Sequence, residues 1–277
     1  METSCIKKLL KKLLILKKNS DAILDATGGR FNIFQTVGIN HYEKKHSLIL
    51  SEFLDPYGSH GLKDKFLNLF LKMIVQKKFL FDFKLSNTTV NIEYVIDDGI
   101  IDILIKNPEQ VIIIENKIYA GDQSEQLIRY NNFAEQNYSK GNFIILYLTL
   151  WGDEASKNSC GNVEYKRISY KDDIIKWLEE CLKFSLRYPT VRETIIQYIN
   201  HLKQLTNQDM ESKNSKEIVE ILAENVESSI LIYENFRNMK LMIIENMVKR
   251  VAEKFEIEYS FDENGYDTPQ KQDIMLR

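Results

Sequence analysis

A carboxylate and a lysine stand at the end of the most apolar segment of the chain. Glu115 and Lys117 follow the aliphatic residues 111–114, with Asn116 between them. Residues two apart on a β-strand share a face, so the two charged side chains point the same way and Asn116 points to the opposite face. The same Glu-x-Lys spacing recurs in this highly charged chain, so the apolar context selects this pair rather than the spacing. The recurrences begin at Glu43, Glu164 and Glu211.

The turn before this strand predicts a second carboxylate beside Glu115. If residues 107–110 form a four-residue loop, Lys106 pairs with Val111, and counting outward places Asp102 directly opposite Glu115. Like charges opposite each other destabilise a sheet unless a cation lies between them. Mg²⁺ favours oxygen ligands, commonly one or two carboxylates completed by water and phosphate oxygens. The pattern therefore predicts a metal site on Asp102 and Glu115.

A metal on two carboxylates with a lysine beside it is suited to phosphodiester hydrolysis. The ion polarises a phosphoryl oxygen and activates water. Lys117 is then expected to orient the attacking water and to offset charge at phosphorus, and the carbonyl of Asn116 is a further candidate ligand. The alternative is a plain salt bridge between Lys117 and Glu115, with Asp102 facing solvent. That alternative leaves two carboxylates in register beside an apolar run unexplained.

The elements that must position these residues follow from hydrophobic periodicity. Three runs rich in Val and Ile, "TVNIEYVI", "IIDILIK" and "QVIIIENK", are separated by turn-forming residues and predict an antiparallel meander. "DQSEQLIRYNNFAEQN" predicts a helix opened by a capping box from Asp122 to Glu125. The strand "NFIILYLTL" is expected parallel to the 111–117 strand, because strand–helix–strand crossovers are right-handed. "VEYKRISY" is predicted as a further edge strand.

Helices are predicted before and after the strands along the chain. One covers residues 40–54 and ends at Asp55-Pro56, because the residue before proline avoids the helical region. A basic amphipathic helix, "CIKKLLKKLLILKK", opens the chain; we expect its leucine face to pack on the body, and a membrane-surface or nucleic-acid arm is the alternative. We predict an N-terminal helix at 1–30, a catalytic domain at 31–206 and a helical extension at 207–277.

Composition narrows the class of protein. The chain has 277 residues, 44% of them apolar, with a formal net charge of −3 and three cysteines. That apolar content excludes disorder throughout, and the charge excludes a grip on nucleic acid by a bulk positive field. The cysteines, far apart and without a C-x-x-C pair, indicate neither a disulfide framework nor a zinc site and fit a cytoplasmic protein. No segment is apolar enough to predict a membrane span.

These motifs resemble the PD-(D/E)XK nuclease superfamily, in which a helix, three antiparallel strands, a helix and a parallel fourth strand form an α/β mixed sheet. Asp102 and the sequence Glu115-Asn116-Lys117 match the superfamily motif, and Gln126 and Tyr130 on the following helix match its Gln-x-x-x-Tyr signature. The resemblance implies a restriction-endonuclease-like fold with extra flanking helices. It implies Asp102, Glu115 and Lys117 as catalytic residues, and Gln126 and Tyr130 as supporting ones.

The resemblance also implies a cofactor, a substrate and a setting. Mg²⁺ is the expected cofactor, with Mn²⁺ as a substitute, and DNA is the expected substrate in bacterial defence, repair or mobile-element biology. The alternatives are an RNase and a non-catalytic binding module. No aromatic stacking surface of the kind that RNA-binding proteins use is evident in the sequence. A homodimer and a protein partner for the C-terminal helices are further expectations.

Two more acidic residues are expected near the site, and two histidines are interpreted as structural. Relatives carry a Glu before or on the first strands, which suggests Glu43 and Glu93 as supporting residues. Glu93 faces Asp102 only if residues 96–99 form the loop between the first two strands. His46 and His60 have no partner spaced to join them as metal ligands, so both are expected to form structural hydrogen bonds.

Overall fold

A computed structural model describes residues 2–77 and 82–256 and has a mixed α/β fold. Its five strands lie in the order β1-β2-β3-β4-β5. They are β1 Thr89–Ile96, β2 Gly99–Lys106, β3 Val111–Asn116, β4 Phe143–Thr149 and β5 Lys166–Ser169. The first three strands are antiparallel, and β4 and β5 each run parallel to the strand before. This is the predicted restriction-endonuclease-like core, with β5 as the predicted edge strand.

The register between β2 and β3 is the one expected from a four-residue loop. Lys106 pairs with Val111, and the pairing continues to Ile103 with Ile114. Asn107 holds the loop, because its side-chain oxygen accepts hydrogen bonds from two backbone amides of the turn. The register prediction is therefore confirmed.

Helices precede, separate and follow the strands in sequence. They are α1 Glu2–Thr27, α2 Ile33–Thr36, α3 Glu43–Leu54, α4 Lys65–Gln76, α5 Gln126–Asn137, α6 Lys157–Cys160, α7 Ile175–Phe184, α8 Pro189–Leu205, α9 Met210–Glu224 and α10 Val226–Phe255. A π-helical turn, Tyr170–Ile174, leads into α7. As predicted, α3 ends immediately before Asp55-Pro56.

Strand β3 is buried on both faces, which explains its continuous apolar run. Ile112 and Ile114 pack into a core shared with α3, α4, α7 and α8, whereas Val111 and Ile113 pack into a second core with α5. Alternation along the strand therefore directs Glu115 toward α5 and Asn116 toward α3 and α8. The two sides of the site are set by this single strand.

The predicted capping box before α5 is wrong. The helix begins at Gln126, and its N-cap residue Glu125 has a left-handed backbone with no side-chain cap hydrogen bond. The carboxylate of Asp122 instead accepts hydrogen bonds from the Tyr147 hydroxyl and from the backbone amide of Ser156. These tertiary partners take the oxygen atoms that a local cap needs.

Contacts divide the chain into two compact units. One unit runs from Ile23 to Lys213 and contains the whole sheet, and the other consists of the residues before and after it. Within that second unit Leu9 is buried, whereas Leu10 and Leu14 of the predicted leucine face are about half exposed, and Asn214 donates a hydrogen bond to Ser20. The end of the predicted extension, 257–277, lies outside the described residues. Among the helices that the structure describes, none is long and apolar enough to cross a membrane.

Candidate active site

Asp102, Glu115 and Lys117 form one cluster at the carboxyl end of β3, in which Glu115 and Lys117 are buried and Asp102 is half-buried. Nζ of Lys117 lies 2.7 Å from Oε1 of Glu115, and the two side chains are 10% and 1% exposed. Asp102 comes just before Ile103, where pairing with β3 stops, and its Oδ2 accepts a hydrogen bond from the backbone amide of Asn116 at 2.8 Å. The structure thus brings together the three residues predicted to be catalytic.

Tyr130 and Gln126 hold the other side of Glu115. The Tyr130 hydroxyl lies 2.8 Å from Oε2 of Glu115 and 2.6 Å from the carbonyl oxygen of Ile100. Gln126 Nε2 donates a hydrogen bond to the Tyr130 oxygen at 3.1 Å. The two residues of the helical signature are therefore adjacent to the acidic pair, one directly and one through the other.

Burial and the neighbouring Asp102 favour a protonated Glu115. A tyrosine hydroxyl has one hydrogen, and the carbonyl of Ile100 can only accept. Oε2 of Glu115 and that carbonyl both lie within hydrogen-bond distance of the hydroxyl, so the two acceptors compete for its one hydrogen. Burial, followed by the negative charge of Asp102, raises the pKa of Glu115 to about 8. The ion pair with Lys117 and the hydrogen bond from Tyr130 act against this rise in the pKa without cancelling it.

The pKa values of Asp102 and Lys117 are also set by burial acting against neighbouring charges and hydrogen bonds. Burial also raises the pKa of Asp102, against the hydrogen bond from Asn116 and the charge of Lys117. Burial alone lowers the pKa of Lys117, but attraction to Glu115, Asp102 and Glu43 outweighs it and raises the pKa above its usual value. Two carboxylates share one ammonium in a desolvated space, so a single proton on the pair leaves the cluster neutral.

The donor set fits a divalent cation. Oε1 of Glu115 is buried and has no hydrogen bond of acceptable geometry, although it forms the ion pair with Lys117. The Lys117 ammonium offsets one of the two negative charges of Asp102 and Glu115, and the second charge favours a further cation. No group of three or more His, Cys, Asp or Glu side chains suited to a metal occurs among the described residues. Two carboxylates alone match Mg²⁺, which keeps waters and substrate oxygens in its shell.

Asn116 ties the strand end to the helices on the opposite face. Its side-chain amide donates hydrogen bonds to the carbonyl oxygen of Glu43 and to Ser47, both at 3.0 Å, and its Oδ1 accepts one from Tyr170 at 2.9 Å. The side chain therefore faces away from the acidic pair, as the alternation predicts. Its predicted role as a metal ligand concerns only the backbone carbonyl.

Glu43 supports the turn that follows β3. Its Oε1 accepts hydrogen bonds from the backbone amides of Ile118 at 2.7 Å, Tyr119 at 3.3 Å and Ala120 at 3.0 Å. A carboxylate at the first residue of a helix is also stabilised by the helix dipole. Glu43 thereby fixes the segment directly after Lys117.

Glu93 lies opposite Asp102 in register but does not join the cluster at the end of β3. Residues on either side of it pair with β2 in the register that a 96–99 loop requires. Glu93 itself interrupts the pairing with a φ of 45°, and its carboxylate forms an ion pair with Lys44. With 43% of that side chain exposed, the structure gives Glu93 a surface ion pair.

The two histidines bond to the backbone, as predicted. His46 is fully buried between the carbonyl oxygen of Asn40 and the hydroxyl of Tyr198, and burial lowers its pKa to about 4. His60 Nδ1 accepts from the backbone amide of Leu62. Their structural interpretation is confirmed.

Sequence reasoning missed the link between Asp122 and Tyr147. The Tyr147 hydroxyl donates to Asp122 at 2.6 Å, and Tyr147 stands beside Glu115 in the parallel pairing of β3 and β4. The link joins the segment after β3 to the strand that borders the site. The only signal in the sequence is a tyrosine within an otherwise aliphatic strand.

Comparison with known proteins agrees with this geometry. The family model for the PD-(D/E)XK nuclease superfamily matches residues 31–200, which contain the acidic pair, the lysine and the Gln-x-x-x-Tyr helix. Searches of curated proteins and of solved structures found no match. The family match covers more than half of the 277 residues. The chain therefore belongs to the PD-(D/E)XK nuclease superfamily.

Proposed function

We propose that this protein is a Mg²⁺-dependent nuclease that hydrolyses phosphodiester bonds of DNA at the Asp102–Glu115–Lys117 cluster. The observation that carries the proposal is the meeting of two carboxylates and one ammonium at the end of β3: Nζ of Lys117 lies 2.7 Å from Glu115, and Asp102 accepts from the backbone amide of Asn116 beside them. A structural salt bridge needs one carboxylate for the lysine, whereas the second carboxylate leaves a negative charge that a divalent cation can neutralise.

Asp102, Glu115 and the carbonyl of Asn116 would hold the ion. When bound, Mg²⁺ supplies Lewis-acid polarisation of the scissile phosphoryl oxygen. Mn²⁺ is expected to substitute for it, because its preference for oxygen ligands is similar.

The protein's own side chains orient and screen the reaction. The Lys117 ammonium, nearly buried beside Glu115, holds the attacking water and offsets negative charge as it grows on the phosphate. Tyr130 and the amide of Asn116 fix the two carboxylates in place. Because these groups are held before substrate arrives, little reorganisation is needed during the reaction.

The chain offers a matched control for Lys117. Glu164 and Lys166 repeat the Glu-x-Lys spacing with the same 2.7 Å ion pair, but the Glu164 side chain is 83% exposed. Single- and double-stranded DNA and RNA would be incubated with the wild type, Lys117→Ala and Lys166→Ala, in Mg²⁺, Mn²⁺ or EDTA. We expect cleavage of DNA in either metal and none in EDTA. Lys117→Ala should lower the rate by about 10²-fold or more, and Lys166→Ala should leave it unchanged.

Three results would contradict parts of this proposal. Equal cleavage with and without EDTA would show that the reaction needs no metal. Equal rates for the wild type and Lys117→Ala would show that cleavage does not occur at this site. Cleavage of RNA without cleavage of DNA would show that RNA is the substrate.

A further inference from the structure

Three aromatic side chains form an exposed cluster beside the acidic site. His41 and Tyr42 stack with ring centroids 5.3 Å apart, and Tyr119 meets His41 at 5.9 Å in an edge arrangement. Tyr42 is 59% exposed and Tyr119 is 60% exposed. We call His41, Tyr42 and Tyr119 the aromatic cluster. Together their rings leave apolar area in contact with water beside the acidic site.

The aromatic cluster is rigidly connected to the catalytic residues. Tyr42 directly precedes Glu43, and Tyr119 lies two residues after Lys117, so its Cα is within about 7.6 Å of the Lys117 Cα. The Glu43 carboxylate accepts the backbone amide of Tyr119 at 3.3 Å. One carboxylate therefore holds together the two segments that carry the rings, at the edge of the acidic site.

Charge around the aromatic cluster also suits a nucleic-acid strand. Lys45 is exposed and lies in the first turn of α3, three residues after Tyr42 at the N-cap. A phosphate next to a base on the rings would meet this ammonium. The chain has a net charge of −3, so a bulk positive field contributes little to binding. Stacking supplies affinity that does not depend on such a field.

We propose that the aromatic cluster stacks on unpaired bases and that single-stranded DNA is the preferred substrate of this site, an inference that rests on the proposed nuclease function. Bases inside a duplex are stacked on their neighbours and present no free face to a protein ring. Unpaired bases do, and each stacked base contributes an amount that alanine substitution can detect. The rings come from two segments far apart in sequence, which explains why the sequence alone reveals no stacking surface.

The test compares single-stranded and duplex DNA without the need for cleavage. A short oligonucleotide carrying a fluorescent base analogue, and the blunt duplex of the same sequence, would be titrated with protein in EDTA. The variants are Tyr119→Leu, Tyr119→Phe and Tyr57→Leu. Tyr57 is a matched control, because it is 79% exposed and follows the opposite end of α3 from Tyr42, about 18 Å away along the 12-residue helix.

We expect the wild type to bind the single strand more tightly than the duplex and to quench the base analogue. Tyr119→Leu should weaken single-strand binding by about tenfold and abolish quenching. Tyr119→Phe, which keeps the ring, and Tyr57→Leu should behave as the wild type.

The inference is overturned if Tyr119→Leu binds the single strand as tightly as the wild type, or if it weakens single-strand and duplex binding equally. Cleavage of DNA by such a variant at the wild-type rate would leave the nuclease proposal standing while this one fails. If the protein binds single strands through Tyr119 but never cleaves them, the stacking inference stands and the nuclease proposal fails.

Discussion

The hydroxyl of Tyr130 lies 2.8 Å from Oε2 of Glu115, inside the second core of the protein. Tyr130 thereby fixes the carboxylate from the side opposite Lys117. Loss of a group that orients a metal ligand commonly costs 10- to 100-fold in metal affinity.

Tyr130→Phe should therefore raise the Mg²⁺ concentration needed for half-maximal cleavage by about tenfold or more. A Mg²⁺ titration of the cleavage rate measures this. Tyr138→Phe is the control, because Tyr138 packs on the same core at the far end of α5 without contact to Glu115 among the hydrogen bonds described. An unchanged Mg²⁺ requirement in Tyr130→Phe would show that the tyrosine only fills space.

The stability of the metal-free protein should fall as pH rises. Burial, followed by the charge of Asp102, raises the pKa of Glu115 from its ordinary value of 4.5 to about 8 in the folded protein. Because the folded state binds this proton more tightly, the contribution is complete below pH 4.5 and is lost as pH rises toward 8. The full loss corresponds to about 3–5 kcal/mol of unfolding free energy.

Glu115→Gln, which mimics the protonated acid, removes this dependence. In EDTA the variant should be more stable than the wild type at pH 8 and similar to it at pH 4.5, as measured by urea unfolding. Mg²⁺ should stabilise only the wild type, because a metal binds the deprotonated carboxylate. Parallel pH profiles for the two proteins in EDTA would contradict the raised pKa.

Glu43 should affect catalysis through the turn after Lys117. Glu43→Gln removes the charge that holds three backbone amides, and we expect a loss of about 1–2 kcal/mol in stability and about a tenfold loss in cleavage rate. Glu52→Gln is a matched control on the same helix, since Glu52 accepts from the backbone amide and hydroxyl of Ser59. It should lower stability without lowering the rate. Equal effects of both variants on the rate would reduce Glu43 to a structural role.

Local pattern was sufficient for the sheet and for the pairing that aligns Asp102 with Glu115. The 107–110 turn sets that register by itself, and the alternation along β3 then assigns Glu115 and Asn116 to opposite faces. These features depend on neighbours in sequence, so a single sequence contains the information needed.

Contacts between residues far apart in sequence could not be predicted from local pattern. Asp122 was predicted to cap α5, but Tyr147 and Ser156, which approach it only in the folded protein, take its oxygens. Glu93 is in register with Asp102, yet a left-handed φ and Lys44 draw it to the surface. In both cases a tertiary partner outweighs the local preference.

The central claim is that the Asp102–Glu115 pair holds a divalent cation, and Mn²⁺ binding followed by electron paramagnetic resonance tests it most directly. The account predicts that the wild type binds Mn²⁺, that Glu115→Gln weakens binding at least about tenfold, and that the exposed control Glu164→Gln does not. Wild-type affinity in Glu115→Gln, or no bound Mn²⁺ in the wild type, would contradict it.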